Sequence, residues 1–202
     1  MKHVIRLMTL SLFAMILSGC GYNGIQQSDE QVKAAFSELL NQYQRRNDLI
    51  PNLVQVTKGY ADHEAGVFKD IAEARAKVGQ VKLSTDQLDD PAAVAKFEQA
   101  QSQMGSALSR LLAVSENYPD LKANTLFQNV QTQLEGTENR IAVARQRYVK
   151  SIQDYNLLMR QFPTMLTAKL FGYRVKAQYE VGDEATLSKA PTVNFGSQPA
   201  SQ

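Results

Sequence analysis

Few side chains in this sequence could perform metal, acid–base or nucleophilic chemistry, and they fall into three small groups. His63 and Glu64 begin like the zinc-binding pattern H-E-x-x-H, which places two histidines on one helical face. Glu135 and Glu138 lie one helical turn apart, as paired carboxylates do in metal-binding bundles. Cys20 is the single cysteine of the chain, so an intrachain disulfide is impossible.

Both metal patterns are incomplete. Position 67 is valine where the zinc pattern requires its second histidine, and the other histidine of the chain is His3, near the N-terminus. The two glutamates lack the Glu-x-x-His element that supplies further ligands in di-metal bundles. We therefore predict no metal and no cofactor, and we interpret the glutamates as ion-pair partners of arginines. The candidate arginines are Arg46, Arg140 and Arg145.

Motifs of common catalytic sites are also missing. After residue 20 the sequence contains no G-x-S-x-G elbow, no phosphate-binding loop and no cysteine. His63 is the one histidine in that part of the chain, so an enzyme would have to rely on carboxylates. We therefore predict that the protein is not an enzyme.

The N-terminal segment has the pattern of a bacterial signal peptide. Lys2 and Arg6 give it a positive start, and an apolar run follows over residues 7–17. This run is too short for a transmembrane helix, which needs about 20 residues. The segment is therefore expected to direct export rather than to span the membrane.

The sequence Leu17-Ser18-Gly19-Cys20 resembles the lipobox of bacterial lipoproteins. In that class the cysteine is acylated, with chains such as palmitate, and becomes the first residue after cleavage. Several acyl chains at about 0.8 kcal/mol per buried CH₂ give a stable anchor. We predict a signal peptide over residues 1–19 and a lipidated tether over residues 20–27.

The charges of the chain are nearly balanced. There are 22 basic and 20 acidic residues, and Lys2 and Arg6 lie in the predicted signal peptide. The mature chain is then formally neutral and has no basic stripe. It therefore offers little electrostatic attraction to nucleic acid or to anionic lipid.

Beyond residue 28 apolar residues recur at three- and four-residue steps, the spacing typical of packed helices. One helix is predicted over 28–78, kinked near Pro51, because the heptad phase is the same on both sides of the proline. Two helices meeting at Pro51 are the alternative. Further helices are predicted from Pro91 to about residue 117 and over 121–161. A short apolar segment at 164–171, too short to span a membrane, is expected to pack onto the bundle end, and dipping into a membrane is the alternative.

Short connections between long helices favour antiparallel neighbours. The sequence therefore predicts an all-α fold, an elongated antiparallel helical bundle over residues 28–180. It has three long helices and a short C-terminal helix. A polar, disordered tail is predicted over 181–202. Four tyrosines on the apolar seams are expected to pack in the core: Tyr43, Tyr60, Tyr148 and Tyr155.

A polar passage interrupts the first predicted helix. Arg46 lies on the apolar seam, where a buried arginine needs a partner. Glu135, Glu138 or Asp48 could provide it. Two interpretations stay open, a polar pair that fixes the register of the bundle and a site that binds a partner. The residues of this candidate site are Arg45, Arg46, Asp48, Pro51, Asn52, Glu135, Glu138 and Arg145.

Three blocks of sequence resemble the LemA family, and together they cover about residues 22–180. The blocks are Arg45–Val54 with Lys58–Ala61, then Tyr118–Asn124 with Leu134–Arg145, then Tyr155–Asn156 with Gln161–Pro163 and Leu170–Tyr173. The resemblance implies a bacterial, membrane-anchored four-helix bundle outside the cytoplasm, with no established activity or cofactor. Family members typically carry a transmembrane anchor, which the lipobox would replace here. Phe36 stands where the family usually has tryptophan.

We therefore predict a non-enzymatic lipoprotein that acts as an interaction or scaffold protein of the cell envelope. It would face the periplasm, in the outer membrane if the bacterium is Gram-negative. Its expected partners are the membrane, through Cys20, and other envelope proteins, but not nucleic acid. The alternative is a carrier of small molecules or lipids, with a cavity opened beside Leu49, Ile50 and Leu53 where Pro51 bends the bundle.

Overall fold

Six α-helices form the protein in a computed structural model that describes residues 2–61 and 63–178, including all of their side chains except those of 4, 7 and 9–20. The helices are α1 (Lys2–Lys58), α2 (Ala65–Gln80), α3 (Pro91–Ser115), α4 (Pro119–Ala123), α5 (Thr125–Arg160) and α6 (Thr164–Phe171), with a 3₁₀ turn at Thr85–Gln87. The predicted all-α helical bundle is confirmed. The tail predicted over 181–202 lies outside the described residues.

The two longest helices, α1 and α5, run antiparallel along the whole bundle. Glu38 meets Arg147 at 2.6 Å near one end, and Asn124 donates to Tyr60 at 2.9 Å at the other. Helices α2 and α3 form a shorter pair, joined on their surface by Arg110 and Asp70 at 3.2 Å. The bundle is therefore two antiparallel helix pairs, of which the α1–α5 pair is the longer.

The single helix predicted over 28–78 is wrong. Helix α1 ends at Lys58, and α2 begins at Ala65 after a turn in which Tyr60 and Ala61 donate to the carbonyl of Thr57. The alternative, a break at Pro51, is wrong as well, because Pro51 lies inside α1. Periodicity misled the prediction since a loop of suitable length preserves the heptad count while the chain reverses.

Pro51 is tolerated inside α1 because of where it lies. A proline inside a helix removes one N–H donor and leaves the carbonyl four residues earlier without its partner. Pro51 is exposed, so water can reach this part of the helix. Its neighbours Ile50 and Leu53 are each only 1% exposed and keep the inner face of the helix packed.

Residues 21–27, expected to be a polar tether, are helical and belong to α1. Ile25 is fully buried, and Gly21 approaches α6 so closely that an added Cβ would lie 3.1 Å from the Cα of Thr164. Residues 21–27 are therefore part of the folded bundle.

The third predicted helix is also divided. Residues 119–123 form the short α4, and α5 begins after Asn124, whose side chain accepts from the N–H groups of Leu126 and Phe127 at 2.9 and 3.1 Å. Such a cap satisfies N–H groups that have no partner within the helix. Helices α3 and α6 lie where the sequence predicted them, at Pro91–Ser115 and Thr164–Phe171.

Three of the four seam tyrosines lie in the core. Tyr43, Tyr148 and Tyr155 are at most 2% exposed, whereas Tyr60 is 42% exposed because it follows the end of α1. Within the described ranges, no helix combines the length and the apolar character needed to cross a membrane.

Candidate functional site

A buried polar layer divides the core of the bundle. Three buried polar residues contribute to it, Arg46 of α1, Gln101 of α3 and Thr137 of α5. Arg46 contacts Gln101 and also Glu138, the residue that follows Thr137 in α5. We call these four residues the polar layer. Apolar residues on either side of it form two separate clusters. Along α1, α3 and α5, the residues of one cluster end and those of the other begin at the polar layer.

We name the two clusters after one member of each. The Phe36 cluster lies toward the start of the bundle and includes Ile25, Tyr43, Phe97 and Tyr148. The Leu53 cluster lies beyond the polar layer. It includes Ile50, Met104, Leu111 and Leu134.

Arg46 is the centre of the polar layer and is only 2% exposed. One terminal nitrogen donates to Gln101 twice, to its side-chain oxygen at 2.6 Å and to its backbone carbonyl at 3.2 Å. The other donates to Glu138 at 3.3 Å, and the guanidinium carbon lies 5.1 Å from the ring centre of Tyr43. A buried charge is tolerated when such contacts replace its hydration.

The structure unites only part of the predicted site. Of the three carboxylates considered for Arg46, Glu138 is the one that reaches it. Asp48 accepts from Gln44 at 2.7 Å and Glu135 accepts from Gln131 at 3.0 Å, both on the surface. Arg145 donates to the Tyr43 hydroxyl at 3.2 Å, next to the polar layer. The remaining candidates are exposed: Arg45, Pro51 and Asn52.

Sequence reasoning missed two members of the polar layer, Thr137 and the direct partner of Arg46, Gln101. Gln101 lies in the apolar stripe of α3 between Phe97 and Met104, where a glutamine is out of place unless a polar partner meets it. The available signal was that Gln101 interrupts the apolar stripe of α3 and Arg46 interrupts that of α1. Their pairing needs the relative shift of α1 and α3, which the sequence does not contain.

A second buried cation, also missed, lies where the chain returns along the bundle after α6. Lys176 is 7% exposed, and its Nζ contacts Asp29 at 2.8 Å and Asp89 at 3.3 Å. The same ammonium lies 4.9 Å from the ring centre of Tyr155. Asn156 exchanges two hydrogen bonds with the backbone of Lys176, at 2.8 and 3.0 Å. These contacts bind the segment after α6 to α1 and α5.

Comparison with known families agrees with this architecture. The sequence profile of the LemA family matches residues 35–195, which include every residue of the polar layer. The chain belongs to the LemA family.

Among curated proteins, this LemA-family chain is similar to magnetosome proteins. It is 28% identical over 174 residues to MamQ 1 and to MamQ 2 of Paramagnetospirillum magneticum (strain ATCC 700264 / AMB-1), covering 78% of this chain and 64% of each relative. It is 27% identical over 169 residues to MamQ of Magnetospirillum gryphiswaldense, covering 76% of this chain and 62% of that protein. The chain thus spans less than two thirds of the length of these relatives.

The LemA-family bundle offers no cluster of metal ligands in its described part. Among residues 2–61 and 63–178, no three histidine, cysteine, aspartate or glutamate side chains are grouped so that they could hold a metal ion. Around Arg46, the two terminal nitrogens of the guanidinium donate to Glu138 and Gln101, whereas its Nε is buried without a hydrogen-bond partner among the described residues.

The interior beside Pro51 does not favour a carrier cavity. Ile50 and Leu53 are 1% exposed and belong to the Leu53 cluster. A cleft of about 610 Å³ does lie on the surface between α1, α2 and the start of α3. It is open to solvent, and polar residues such as Asn47, Asp48 and Arg75 line it together with apolar ones such as Leu40, Val78 and Phe97. Carriers of apolar ligands instead enclose them in apolar pockets.

The ion pair at Lys176 shifts the pKa of its partner. Burial raises the pKa of Asp29, but hydrogen bonds from Lys176 and Lys33 outweigh it and bring the pKa below the ordinary value of 3.8. Burial, with nearby Asp29 and Asp89, raises the pKa of Tyr155 to about 12. Asp29 is therefore charged throughout the neutral range, and Tyr155 is neutral there.

Asp29→Asn is expected to destabilise the LemA-family bundle at neutral pH and to matter less in acid. The pKa of Asp29 is lower in the folded chain than in the unfolded chain, where it is about 3.9. Ionised Asp29 therefore contributes fully to the free energy of unfolding above the unfolded pKa, and this contribution is lost as the pH falls through the folded pKa. We expect Asp29→Asn to lower the free energy of unfolding by about 1–3 kcal/mol at pH 7 and by less below about pH 4. Urea unfolding at several pH values measures the difference.

The control for this prediction is Asp154→Asn, because Asp154 pairs with Lys150 at 3.2 Å on the exposed surface of α5. Exposed pairs contribute about 0–1 kcal/mol. A difference between Asp29→Asn and wild type that stays constant down to pH 2 would contradict the assigned ion pair.

Proposed function

We propose that the protein is a lipid-anchored helical scaffold of the bacterial cell envelope, held at the periplasmic side of a membrane by Cys20. The observation that carries this proposal is the packing of Gly21 against Thr164 of α6. Because Gly21, the residue after the lipobox cysteine, already packs within the bundle, acyl chains on that cysteine would hold the bundle directly at the membrane surface.

The shape of the bundle supports a role in display. From Gly21 to Lys58, α1 rises about 55 Å at 1.5 Å per residue. Since α5 runs beside α1 over most of this length, the far end would stand well clear of the lipid headgroups. A long bundle whose buried cations, Arg46 and Lys176, are paired with carboxylates fits a protein that holds or spaces others.

The polar passage of α1 combines the two roles considered for it. Arg46 is buried and binds Gln101 and Glu138, which suits a residue that fixes the register of three helices. Arg45, Asp48, Pro51 and Asn52 are exposed on the same stretch of helix. We assign the docking of an envelope protein to these exposed residues. No catalytic activity and no cofactor are part of the proposal.

Cys20→Ala is expected to abolish acylation. In cells grown with an alkyne-tagged fatty acid, the wild-type chain should carry the label and begin at Cys20, whereas the variant should be unlabelled and keep the signal peptide. Glu135→Ala, an exposed change far from the lipobox, serves as the control and should stay labelled. An unlabelled wild-type chain with an intact N-terminus would overturn the lipid anchor, and membrane fractionation would then show what retains it.

The docking role is tested with a photo-crosslinking amino acid at Arg45 or Asn52 and, for comparison, at Asp154 on an exposed face of α5. The first two positions should capture the same envelope protein in repeated experiments, and Asp154 should not. Equal capture at all three positions, or none, would remove the docking role of the passage.

A further inference from the structure

Helix α6 turns its small residues toward the bundle and its large apolar residues toward the outside, the reverse of the usual arrangement in a soluble bundle. Its buried residues are Thr164, Thr167 and Ala168, at 6%, 8% and 3% exposure. Its large apolar residues point outward, with Leu166 at 54%, Leu170 at 80% and Phe171 at 58%. A surface helix normally buries its leucines and phenylalanines and exposes its hydroxyl groups. The reversal indicates that another apolar medium covers the outer face.

Further exposed apolar residues lie close to α6 in the chain. Leu166 and Leu170 are one turn apart on the helix, and Phe162, just before it, is 75% exposed. Leu157, near the end of α5, adds a side chain that is 57% exposed. We call Leu157, Phe162, Leu166, Leu170 and Phe171 the α6 surface. Monomeric soluble proteins rarely expose grouped apolar side chains without a partner.

Tyrosines border this surface. The ring of Tyr22 lies 5.2 Å from that of Phe171 and 6.5 Å from that of Tyr173. Tyr22 is 38% exposed, so one edge of the ring faces solvent. Tyrosine is enriched where an apolar medium meets water, because its ring is apolar and its hydroxyl is polar.

The segment that carries the α6 surface is rich in basic residues, although Asp154 lines a shallow cleft with Leu157, and Asp29, Asp86 and Asp89 line another with Arg174. Arg160, Lys169 and Arg174 are exposed there, and the sequence from 155 to 178 contains no aspartate or glutamate. The neutral total charge of the chain, used above to predict no attraction to anionic lipid, conceals this local excess. Basic residues beside an exposed apolar face are the pattern of helices that lie in the interface of an anionic bilayer.

The location of the surface identifies what covers it. Gly21 packs on Thr164, and Gly24 lies close to Leu158, where an added Cβ would be 3.8 Å from a side-chain carbon. Helix α6 spans only about 12 Å, so the α6 surface lies beside residue 20. In the proposed function that residue carries the lipid anchor, at the end of the bundle nearest to the membrane.

We propose that the α6 surface docks on an anionic lipid bilayer. Leu166, Leu170 and Phe171 insert at the boundary of headgroups and acyl chains, and Arg160, Lys169 and Arg174 contact the headgroups. This inference rests on the proposed function for the position of Cys20. It adds a second, non-covalent attachment, and a rigid contact of this kind fixes the orientation of the bundle on the membrane.

Tryptophan fluorescence tests the proposal cleanly, because the chain contains no tryptophan. Phe171→Trp places one indole on the α6 surface, and Leu126→Trp places one at the other end of the bundle, at a side chain 62% exposed. The full chain is mixed with vesicles of phosphatidylcholine and phosphatidylglycerol, with or without brominated acyl chains. Trp emission should shift to the blue and be quenched by bromine in the first variant only.

Leu170→Glu gives an independent measurement. Leu170 is 80% exposed, so the fold should tolerate the change, and circular dichroism checks this. Made together with Cys20→Ala, it should weaken vesicle binding roughly tenfold relative to Cys20→Ala alone, because an inserted leucine is replaced by an anion. Equal binding of the two chains would overturn the proposal.

The outcomes separate this inference from the proposed function. A chain that floats with vesicles while the emission of Phe171→Trp stays unchanged overturns the docking and leaves the anchor standing. A blue shift in Phe171→Trp combined with Cys20→Ala supports the docking without the anchor. A blue shift that needs no vesicles overturns the docking, and its dependence on protein concentration tells whether a second copy or the segment after residue 178 covers the surface.

Discussion

Replacing Glu138 with alanine is expected to lower the free energy of unfolding by about 2–4 kcal/mol. Glu138 is the carboxylate paired with the buried Arg46, at 3.3 Å, and without it the guanidinium keeps only Gln101 and the ring of Tyr43. Removing the carboxylate leaves the buried guanidinium with less compensation for its lost hydration. We expect the lower half of the range, because 43% of the Glu138 side chain is exposed and water can partly replace it.

The matched control is Glu135→Ala, one turn earlier on the same helix. Glu135 is exposed and accepts only from Gln131 at 3.0 Å, so its removal should change stability by no more than about 0.5 kcal/mol. Urea unfolding followed by circular dichroism measures both variants. Equal losses in the two would show that Arg46 does not depend on Glu138.

A double-mutant cycle distinguishes the lost pair from the lost side chain. Arg46→Met replaces the cation by an apolar chain of similar length, a change that is often neutral or even stabilising for buried pairs. In that background Glu138→Ala should have little further effect. If Glu138→Ala lowers the free energy of unfolding equally in the wild-type and Arg46→Met backgrounds, the glutamate acts through contacts other than Arg46.

Phe36→Ala is expected to have the largest effect of any single change considered, about 3–5 kcal/mol. Phe36 is fully buried and packs against the ring of Tyr148 at 5.2 Å and that of Phe97 at 6.0 Å. Alanine leaves a cavity between α1, α3 and α5, and the two remaining aromatic rings cannot fill it without losing their own contacts.

The comparison variant for Phe36→Ala is Val143→Ala, since Val143 lies on α5 with 47% of its surface exposed. Its loss should change stability by about 0.5 kcal/mol or less. The two variants are measured by the same urea titration, with the slope compared as well. A Phe36→Ala loss below about 1 kcal/mol would mean that the Phe36 cluster is packed loosely.

The helices that sequence reasoning located best are those with strong local signals. Pro91 at the start of α3 and Pro163 before α6 mark boundaries, and the apolar stripe of α3 supplies its buried face. The turn after Lys58 was missed because Gly59 is the only nearby residue that breaks a helix, whereas Pro51 gave a stronger but misleading signal. Periodicity alone does not reveal a reversal of the chain.

The candidate site shows the same division between local and tertiary information. The position of Arg46 on an apolar seam identified a buried charge and limited its partners to a few carboxylates. The choice of Glu138 over Glu135 depends on the relative shift of α1 and α5, which only their packing sets. Lys176 gave no signal at all, because it lies in a segment without regular structure.

The polar layer also affects how the molecule opens. Apolar contacts of the Phe36 cluster and of the Leu53 cluster do not merge across Arg46, so each cluster stabilises its own part of the bundle. Proteins open in cooperative units that follow such boundaries. The end that carries the turn after Lys58 and the short α4 can therefore fluctuate, or yield to a binding partner, while the helices beside Gly21 and α6 remain closed. Arg46 thus marks the limit to which local unfolding is expected to spread.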